Sequence, residues 1–479
     1  MSFSDLAETI GVAADTADRP VVCVQGLGFV GAAMAAAVAR ARTDSGAPAF
    51  NVVGVDLDTP EGQRRAAALN RGDFPFPCPD PPLIDALAAA RAAGNLLACT
   101  DPAAFSLAAV AVVDVDLDVA MQGGRAEADL DRFRSAITTL GDALPAGALV
   151  IIETTVPPGT TAHVAAPALA DALARRGLAA DAVLLAHSYE RVMPGPGYLD
   201  SVVNFWRVYA GHSDAAAEAC ARFLEQIVNT KDFPLTRLAS TTASETAKVL
   251  ENSYRATTIA FMEEWGRFAE SVGVDLFEVI DAIRQRPTHS NMRQPGFGVG
   301  GYCITKDPLF APAAVRQIFD RDDLRFPFSE MAVSTNFAMP QASIDHLERL
   351  LGGSLDGKSI LLLGVAYRPD VADTRNSPAE YFVREARRRG AVVTCQDPLV
   401  RTWPELDMAP LAELPAVDGL DALVFAVGHT AYGELDVAGW IGRARPVVFD
   451  ANRVLGSADL DALATRGITV AGIGRGMPA

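Results

Sequence analysis

A short apolar strand, Val21-Val22-Cys23-Val24, runs directly into Gly26-Leu27-Gly28-Phe29-Val30-Gly31 and then into an alanine-rich stretch ending near Arg42. Strand, glycine turn and helix in that order constrain the fold more than any other segment. The turn lets backbone meet a pyrophosphate, whose charge then rests on the helix N-terminus. A lone GxGxxG pattern is common, and its weight here comes from the next strand. That strand, Phe50 to Val55, ends in Asp56, about 25 residues beyond the last glycine. An acid at that place binds the adenosine ribose hydroxyls and repels the extra phosphate of NADP, so the expected cofactor is NAD. The expected contacts are Gly26, Gly28, Phe29, Val30, Gly31 and Asp56.

Further apolar strands at Val110 to Val115, Leu149 to Ile152 and Val183 to Ala186 alternate with helical stretches, which implies a doubly wound parallel sheet. The pattern changes after about Gly211. Apolar residues then recur at helical spacing over Ala215 to Val228 and over a long stretch from Ser244 to Gly273. Near Leu355 the alternation restarts. Lys358 to Gly364, Ala391 to Cys395, Leu420 to Val427 and Pro446 to Phe449 read as strands and Pro378 to Arg389 as a helix, with a joining segment around Ser343 to Gly353. The expected α/β architecture is two doubly wound, Rossmann-like parallel sheets joined by a helical middle domain with one long central helix. Its boundaries fall at 1–213, 214–342 and 343–479.

Composition removes several classes of function. A chain of 479 residues, half of them apolar, is globular and large enough for several cores. Its net charge of −18 argues against a nucleic-acid partner. No run of about 18 apolar residues suggests a membrane span, and the N-terminus lacks a basic region followed by an apolar one, so a cytoplasmic protein is expected. Six cysteines without paired or metal-type spacing fit reduced thiols and no metal site.

The cations are almost all arginine. Only Lys231, Lys248, Lys306 and Lys358 are lysines, and two of these lie in candidate chemical motifs. In Gly296-Phe297-Gly298-Val299-Gly300-Gly301-Tyr302-Cys303-Ile304-Thr305-Lys306-Asp307 a cysteine sits on a glycine-rich loop, with a lysine that favours the thiolate and a carboxylate that can orient water. Free cysteines are more often small core residues, and the loop by itself leaves both readings open. On the long helix Glu245, Lys248 and Asn252 fall at i, i+3 and i+7, on one face. A solvated stripe is the ordinary reading, yet asparagine has no propensity reason to be there.

Together these segments resemble the nucleotide-sugar 6-dehydrogenases, the family that includes UDP-glucose, GDP-mannose and UDP-N-acetylhexosamine dehydrogenases. The resemblance runs from about Val21 to Leu455. In order come the glycine turn with Asp56, Leu69-Asn70-Arg71-Gly72, Glu153-Thr154-Thr155-Val156-Pro157-Pro158-Gly159-Thr160-Thr161, and Tyr189-Glu190-Arg191-Val192-Met193-Pro194-Gly195. The helix Glu245 to Asn252, the cysteine loop, Gly364 to Asp370 with Asp373 to Pro378, and Phe449 to Arg453 complete the set.

The resemblance implies a four-electron oxidation of a sugar C6 alcohol to a carboxylate by two NAD in turn. Cys303 would capture the aldehyde as a thiohemiacetal, whose second oxidation gives a thioester. Asp307, with Glu190 as the other candidate, would activate the hydrolytic water. Lys248 and Asn252 would stabilise the oxyanion at C6, Thr155 would position water or cofactor, and Lys306, on the cofactor side, would lower the thiol pKa. Glu190, Arg191, Lys248 and Asn252, the loop residues Gly300, Gly301 and Tyr302, and Arg368 with Arg453 would contact the nucleotide sugar. A homodimer through the middle helix is implied as well.

Some positions depart from the family pattern. Val113-Asp114-Val115-Asp116-Leu117-Asp118 replaces a Val-Pro-Thr-Pro-like turn, and three carboxylates beside a pyrophosphate are unhelpful unless they face elsewhere. Arg368 replaces a lysine, Tyr189 a proline, and Tyr302 and Thr305 stand where histidine or serine and proline are common. The loop form leans towards a UDP-N-acetylhexosamine, with UDP-glucose and GDP-mannose as alternatives. Two more distant readings are a two-electron dehydrogenase of hydroxyacid type and a non-catalytic NAD-binding protein. The former has no use for Cys303, and the latter has no reason to hold Cys303, Lys248, Asn252 and Asp307 together.

Overall fold

The computed structural model describes residues 2–15 and 17–475. The chain forms two compact units, Met1–Leu250 with Leu309–Arg325, and Glu251–Pro308 with Phe326–Ala479. The long helix is one continuous element, Thr241–Val272, whose residues through Leu250 count with the first unit and the rest with the second.

The first unit is built on an eight-stranded sheet. Its strands are β1 (Val21–Gln25), β2 (Asn51–Val55), β3 (Leu96–Cys99), β4 (Val110–Val113), β7 (Leu149–Ile152), β8 (Leu184–Tyr189), β9 (Val208–Gly211) and β10 (Thr236–Arg237), in the order β10-β9-β8-β7-β4-β1-β2-β3. Pairings from β3 across to β8 are parallel, whereas β9 runs antiparallel to β8 and extends the sheet. The strand order reverses between β1 and β4, and a crevice forms at such a switch point outside the carboxyl ends of the strands. The helix Phe29–Arg40 that succeeds the glycine turn is buried from Gly31 through Ala39. Its run of alanines permits this, because small side chains let the helix lie close to the sheet and to the helices Pro81–Ala93 and Tyr198–Val203.

Where the family pattern has a Thr-Pro-like turn, the chain leaves β4 and enters a hairpin, β5 (Val119–Gln122) and β6 (Arg125–Ala128), turning at Gly123-Gly124 with φ of 56° and 77°. Paired positive φ values are what a two-residue hairpin turn needs, and glycine supplies them. The side chain of Gln317 clasps the end of this hairpin, accepting from the Ala128 amide at 2.9 Å and donating to its carbonyl at 3.1 Å.

The second unit carries a five-stranded parallel sheet, β11 (Ser359–Leu363), β12 (Val392–Gln396), β13 (Ala422–Phe425), β14 (Val447–Asp450) and β15 (Val470–Gly472), ordered β12-β11-β13-β14-β15. Here too the order reverses, between β11 and β13. The joining segment around Ser343 to Gly353 is helical through Leu350, the end of one helix that runs Pro327–Leu350 straight through Pro340. An interior proline costs a hydrogen bond and normally ends a helix. Burial of Ala332, Val333, Met339, Ile344 and Leu347 on one face holds this one together.

Candidate active site

In the first unit the glycine turn has the shape the sequence calls for. Gly26 has φ +92°, and a Cβ there would meet the Asp114 carbonyl oxygen at 2.5 Å. A Cβ on Gly31 would fall 1.9 Å from the Gly26 carbonyl oxygen, while one on Gly28 would meet nothing within 4 Å. The first and third glycines are required for packing, and the second faces the open space that a pyrophosphate would fill. Asp56 accepts from the Leu27 amide at 3.3 Å and the Leu57 amide at 2.8 Å, with the Arg65 guanidinium 3.4 Å away. Phe29 stacks on Phe76 with centroids 3.9 Å apart, and its carbonyl accepts from the Tyr198 hydroxyl at 2.7 Å. Val30 lies in the first turn of the helix. These residues fit NAD, with Asp56 at the tip of β2 where the ribose would lie.

The buried ends of β7 and β8 and the start of the long helix supply the next layer. Glu245, Lys248 and Asn252 are 1%, 6% and 5% exposed, so the stripe is not a solvated one. Glu245 turns out to be a structural anchor, its two oxygens accepting from the Gly159 and Thr161 amides at 2.6 and 2.7 Å. Burial raises its carboxyl to about 7, against the pull of those amides. Lys248 donates from Nζ to the Glu190 carbonyl at 2.7 Å and lies 3.5 Å from Glu190 Oε1. Glu190 also accepts from the Val192 amide. His187, bonded at 2.8 Å to the Ser244 hydroxyl, is held neutral by burial and by Lys248, its pKa lowered to about 3. Arg191 points its guanidinium at the Trp206 carbonyl, 2.7 Å, and over the rings of Tyr189 and Phe205. Thr155 is half-buried just beyond β7.

In the second unit Cys303 is the exposed cysteine; of the other five, four are buried and Cys78 is intermediate. Its carbonyl accepts from the amides of Lys306 and Asp307 at 3.2 and 2.8 Å, so the segment winds into a helical turn that begins at the thiol. Asp307 is 1% exposed and uses both oxygens: Oδ2 accepts from Asn252 Nδ2 at 2.7 Å, and Oδ1 lies 3.1 Å from Lys306 Nζ. Lys306 Nζ sits 4.3 Å from the centre of the Tyr302 ring. Gly300 and Gly301 are pressed against Tyr367 and Asn376: a Cβ on Gly300 would lie 2.5 Å from the Asn376 carbonyl oxygen, and one on Gly301 would lie 2.9 Å from the Tyr367 ring.

Beyond the carboxyl ends of β11, β13 and β14 a cavity of about 500 Å³ opens, lined among others by Phe297, Tyr367, Arg368, His429, Asn452 and Arg453. Arg453 takes a left-handed φ of 55° and is steered by Asp281 at 3.5 Å and the Phe277 ring at 4.9 Å. Two arginines without a place in the sequence reading, Arg255 and Arg293, stand within electrostatic reach of this part of the second unit. Burial lowers the Arg255 pKa, and Arg293 and Arg368 lower it further, while negative charge at the Cys303 sulfur and at Glu251 counteracts them. Arg255 stands three residues after Asn252 on the long helix, a spacing that would have placed it on the same face. Arg293 had no comparable signal.

Comparison with known proteins fits this geometry. The chain matches the three domain models of the UDP-glucose/GDP-mannose dehydrogenase family: the NAD binding domain over residues 21–228, the central domain over 242–337 and the UDP binding domain over 361–457. It is 32% identical over 360 residues to a UDP-N-acetyl-D-mannosamine dehydrogenase of Pyrococcus horikoshii, covering 73% of this chain and 78% of that one. A Methanocaldococcus jannaschii protein of the same description is 29% identical over 416 residues, 87% of each chain. The solved structure of the Pyrococcus horikoshii enzyme superposes with a TM-score of 0.77 at 27% identity, covering 95% of this chain and 99% of that one.

Proposed function

The chain belongs to the UDP-glucose/GDP-mannose dehydrogenase family and is an NAD-dependent nucleotide-sugar dehydrogenase, and from that premise we propose that it converts the C6 alcohol of a UDP-N-acetylhexosamine to the uronate through a thiohemiacetal and a thioester on Cys303. One observation carries the proposal. The exposed thiol of Cys303 begins the turn whose end, Asp307, is fastened to the Asn252 amide and the Lys306 ammonium.

Two NAD, bound in turn at the site formed by the glycine turn and Asp56, would supply the hydride acceptors, the first for the alcohol and the second for the thiohemiacetal. The protein's own groups do the rest. Lys248 passes a proton to the Glu190 carboxylate, 3.5 Å away, as it takes the alcohol proton, so it stays an ammonium and with Asn252 donates to the oxygen on C6 as charge builds there. Cys303 adds to the aldehyde carbon as thiolate, and Lys306 keeps positive charge in its turn. Of the two carboxylates that the sequence left open as the base, Asp307 has both oxygens committed to Asn252 and Lys306, which makes it a weak base and a good orienting group. Glu190 Oε2 accepts from the Val192 amide, but Oε1 has Lys248 only at 3.5 Å and is the less committed oxygen, so Glu190 is assigned the water that cleaves the thioester, with Thr155 positioning that water. Arg368 and Arg453, in the cavity beyond β11 and β14, bind the diphosphate. Arg191, Gly300, Gly301 and Tyr302 shape the sugar side.

The family supplies the UDP binding domain, and the names of the curated relatives support the N-acetylhexosamine. Offering UDP-N-acetylmannosamine, UDP-N-acetylglucosamine, UDP-glucose and GDP-mannose in parallel tests the choice. A UDP-N-acetylhexosamine should give the highest kcat/KM, and a preference for UDP-glucose or GDP-mannose would overturn it.

NAD recognition yields its own prediction. Asp56→Ala should raise the KM for NAD by about tenfold and narrow the preference over NADP, because Arg65 would then stand beside the ribose without its carboxylate partner. Initial rates with both cofactors check this.

The protein acts as a homodimer in this reading. Tyr254, Phe261, Trp265, Phe268 and Val272 recur at helical spacing on the long helix and are 46–55% exposed. A contiguous aromatic face of this kind marks a protein interface. Trp265→Glu should shift the mass in multi-angle light scattering from dimer to monomer; an unchanged mass would count against this face. No helix of the described residues is long and apolar enough to cross a membrane, and the cytoplasm, where NAD and nucleotide sugars are available, is the proposed location.

A further inference from the structure

The first of the three unexplained aspartates has a place in the fold that the reaction above does not use. Asp116 and Asp118 are exposed. Asp114 comes directly after the last residue of β4 and forms part of the crevice at the switch point. Its carbonyl is the atom a side chain on Gly26 would strike, and its Cβ lies 3.1 Å from where a Gly31 Cβ would be.

The register explains its neighbours. Val113 pairs with Ile152 and Ile152 with His187, so the next residue of each strand, Asp114, Glu153 and Ser188, stands in one row across β4, β7 and β8. Arg207, 2% exposed and just before β9, forms an ion pair with Glu153. Glu190, two residues after Ser188, has Lys248 3.5 Å away. Three carboxylates thus share two cations, and each cation is already matched: Arg207 with Glu153, Lys248 with Glu190. Asp114 is the carboxylate without a cation of its own. Its Oδ2 and Glu153 Oε2 are both sealed from solvent with no donor. The two carboxyls stand level with each other on adjacent strands, an arrangement that is repulsive unless one of them carries a proton. The turn after β1 contributes only backbone here.

We propose that Asp114 is a neutral, proton-donating member of the cofactor site, so that NAD binds the form with Asp114 protonated and is weakened when that proton is lost. The donated proton satisfies Glu153 and keeps the Glu153–Arg207 pair in place. Losing it would leave an unmatched negative charge against the turn that receives a pyrophosphate. Burial and the Glu153 and Glu190 carboxylates push Asp114 well above the usual carboxylate range, with Arg207 opposing them.

The test is the Kd for NAD, by isothermal titration of the full-length protein over the alkaline range in which the fold persists, in buffers of different ionisation heat. For one linked proton, the Kd of the unaltered protein should rise by up to about tenfold per pH unit above the Asp114 pKa. Over the same range, binding should take up a proton from the buffer. Asp114→Asn, which keeps the shape and still donates, should give a Kd that varies far less with pH and no proton uptake. A Kd for the unaltered protein that does not change with pH would overturn the proposal. So would an Asp114→Asn protein with the same pH slope. Both readouts concern binding alone, so they stand apart from the cysteine chemistry proposed above.

Discussion

Replacing Cys303 by serine should lower the rate of uronate formation by about a thousandfold or more while leaving the Kd for the nucleotide sugar within about twofold. A serine hydroxyl is a far weaker acid than a thiol and remains protonated at neutral pH, so it cannot add to the aldehyde as a thiolate does. Binding should survive because the cavity residues Arg368, Arg453 and Tyr367 come from loops after β11 and β14 and do not depend on the sulfur. Uronate made by the serine variant at the unaltered rate would exclude covalent capture.

The second large effect concerns Asn252. Its amide is held by Asp307 at 2.7 Å, which in the proposed mechanism keeps its second N–H directed at the oxygen on C6. Asn252→Ala should lower kcat by a factor of about 100 to 1,000, near 3 kcal/mol, with little change in KM, since the donor acts on charge that exists only along the reaction. Asn252→Asp should be at least as poor, because a second carboxylate would face Asp307 and one of the two must take a proton. A kcat within about threefold for the alanine variant would remove Asn252 from the mechanism. Lys248→Ala should show a loss of similar size, and the double variant should lose less than the sum, because both donors serve one oxygen.

Sequence reasoning reached furthest where a physical requirement is local. The turn at Gly26 and Gly31 could be read directly, because only glycine fits where a Cβ would strike backbone at 2.5 or 1.9 Å. The α/β class and the long central helix were legible from periodicity in the same way. The ends of the first sheet were not. β10 is two exposed residues and β9 four, too short to show a pattern, and their pairing depends on the rest of the sheet. The helix Pro327–Leu350 could not be read as one element from local propensity, because Pro340 lies in its interior and tertiary burial overrides the break it favours.

Within the site, Glu245, Lys248 and Asn252 could be placed on one face by spacing, yet their separate roles could not. Glu245 anchors the turn at Gly159 to Thr161, a segment far away in sequence. Asp114 shows the same boundary from the other side. Its oddness was visible as a departure from a pattern, whereas its neighbours Glu153, Glu190 and Arg207 come from three other strand ends and meet it only through the strand order.

The central claim, that one cysteine carries the sugar carbon between two oxidations, is tested most directly by counting NADH formed per UDP-N-acetylhexosamine consumed while the intact protein is weighed by mass spectrometry after acid quench. The account predicts two NADH per sugar and, during turnover, a protein species heavier by the acyl group that disappears in the Cys303→Ser variant. One NADH per sugar, or two with no adduct on the protein at any time point, would contradict it.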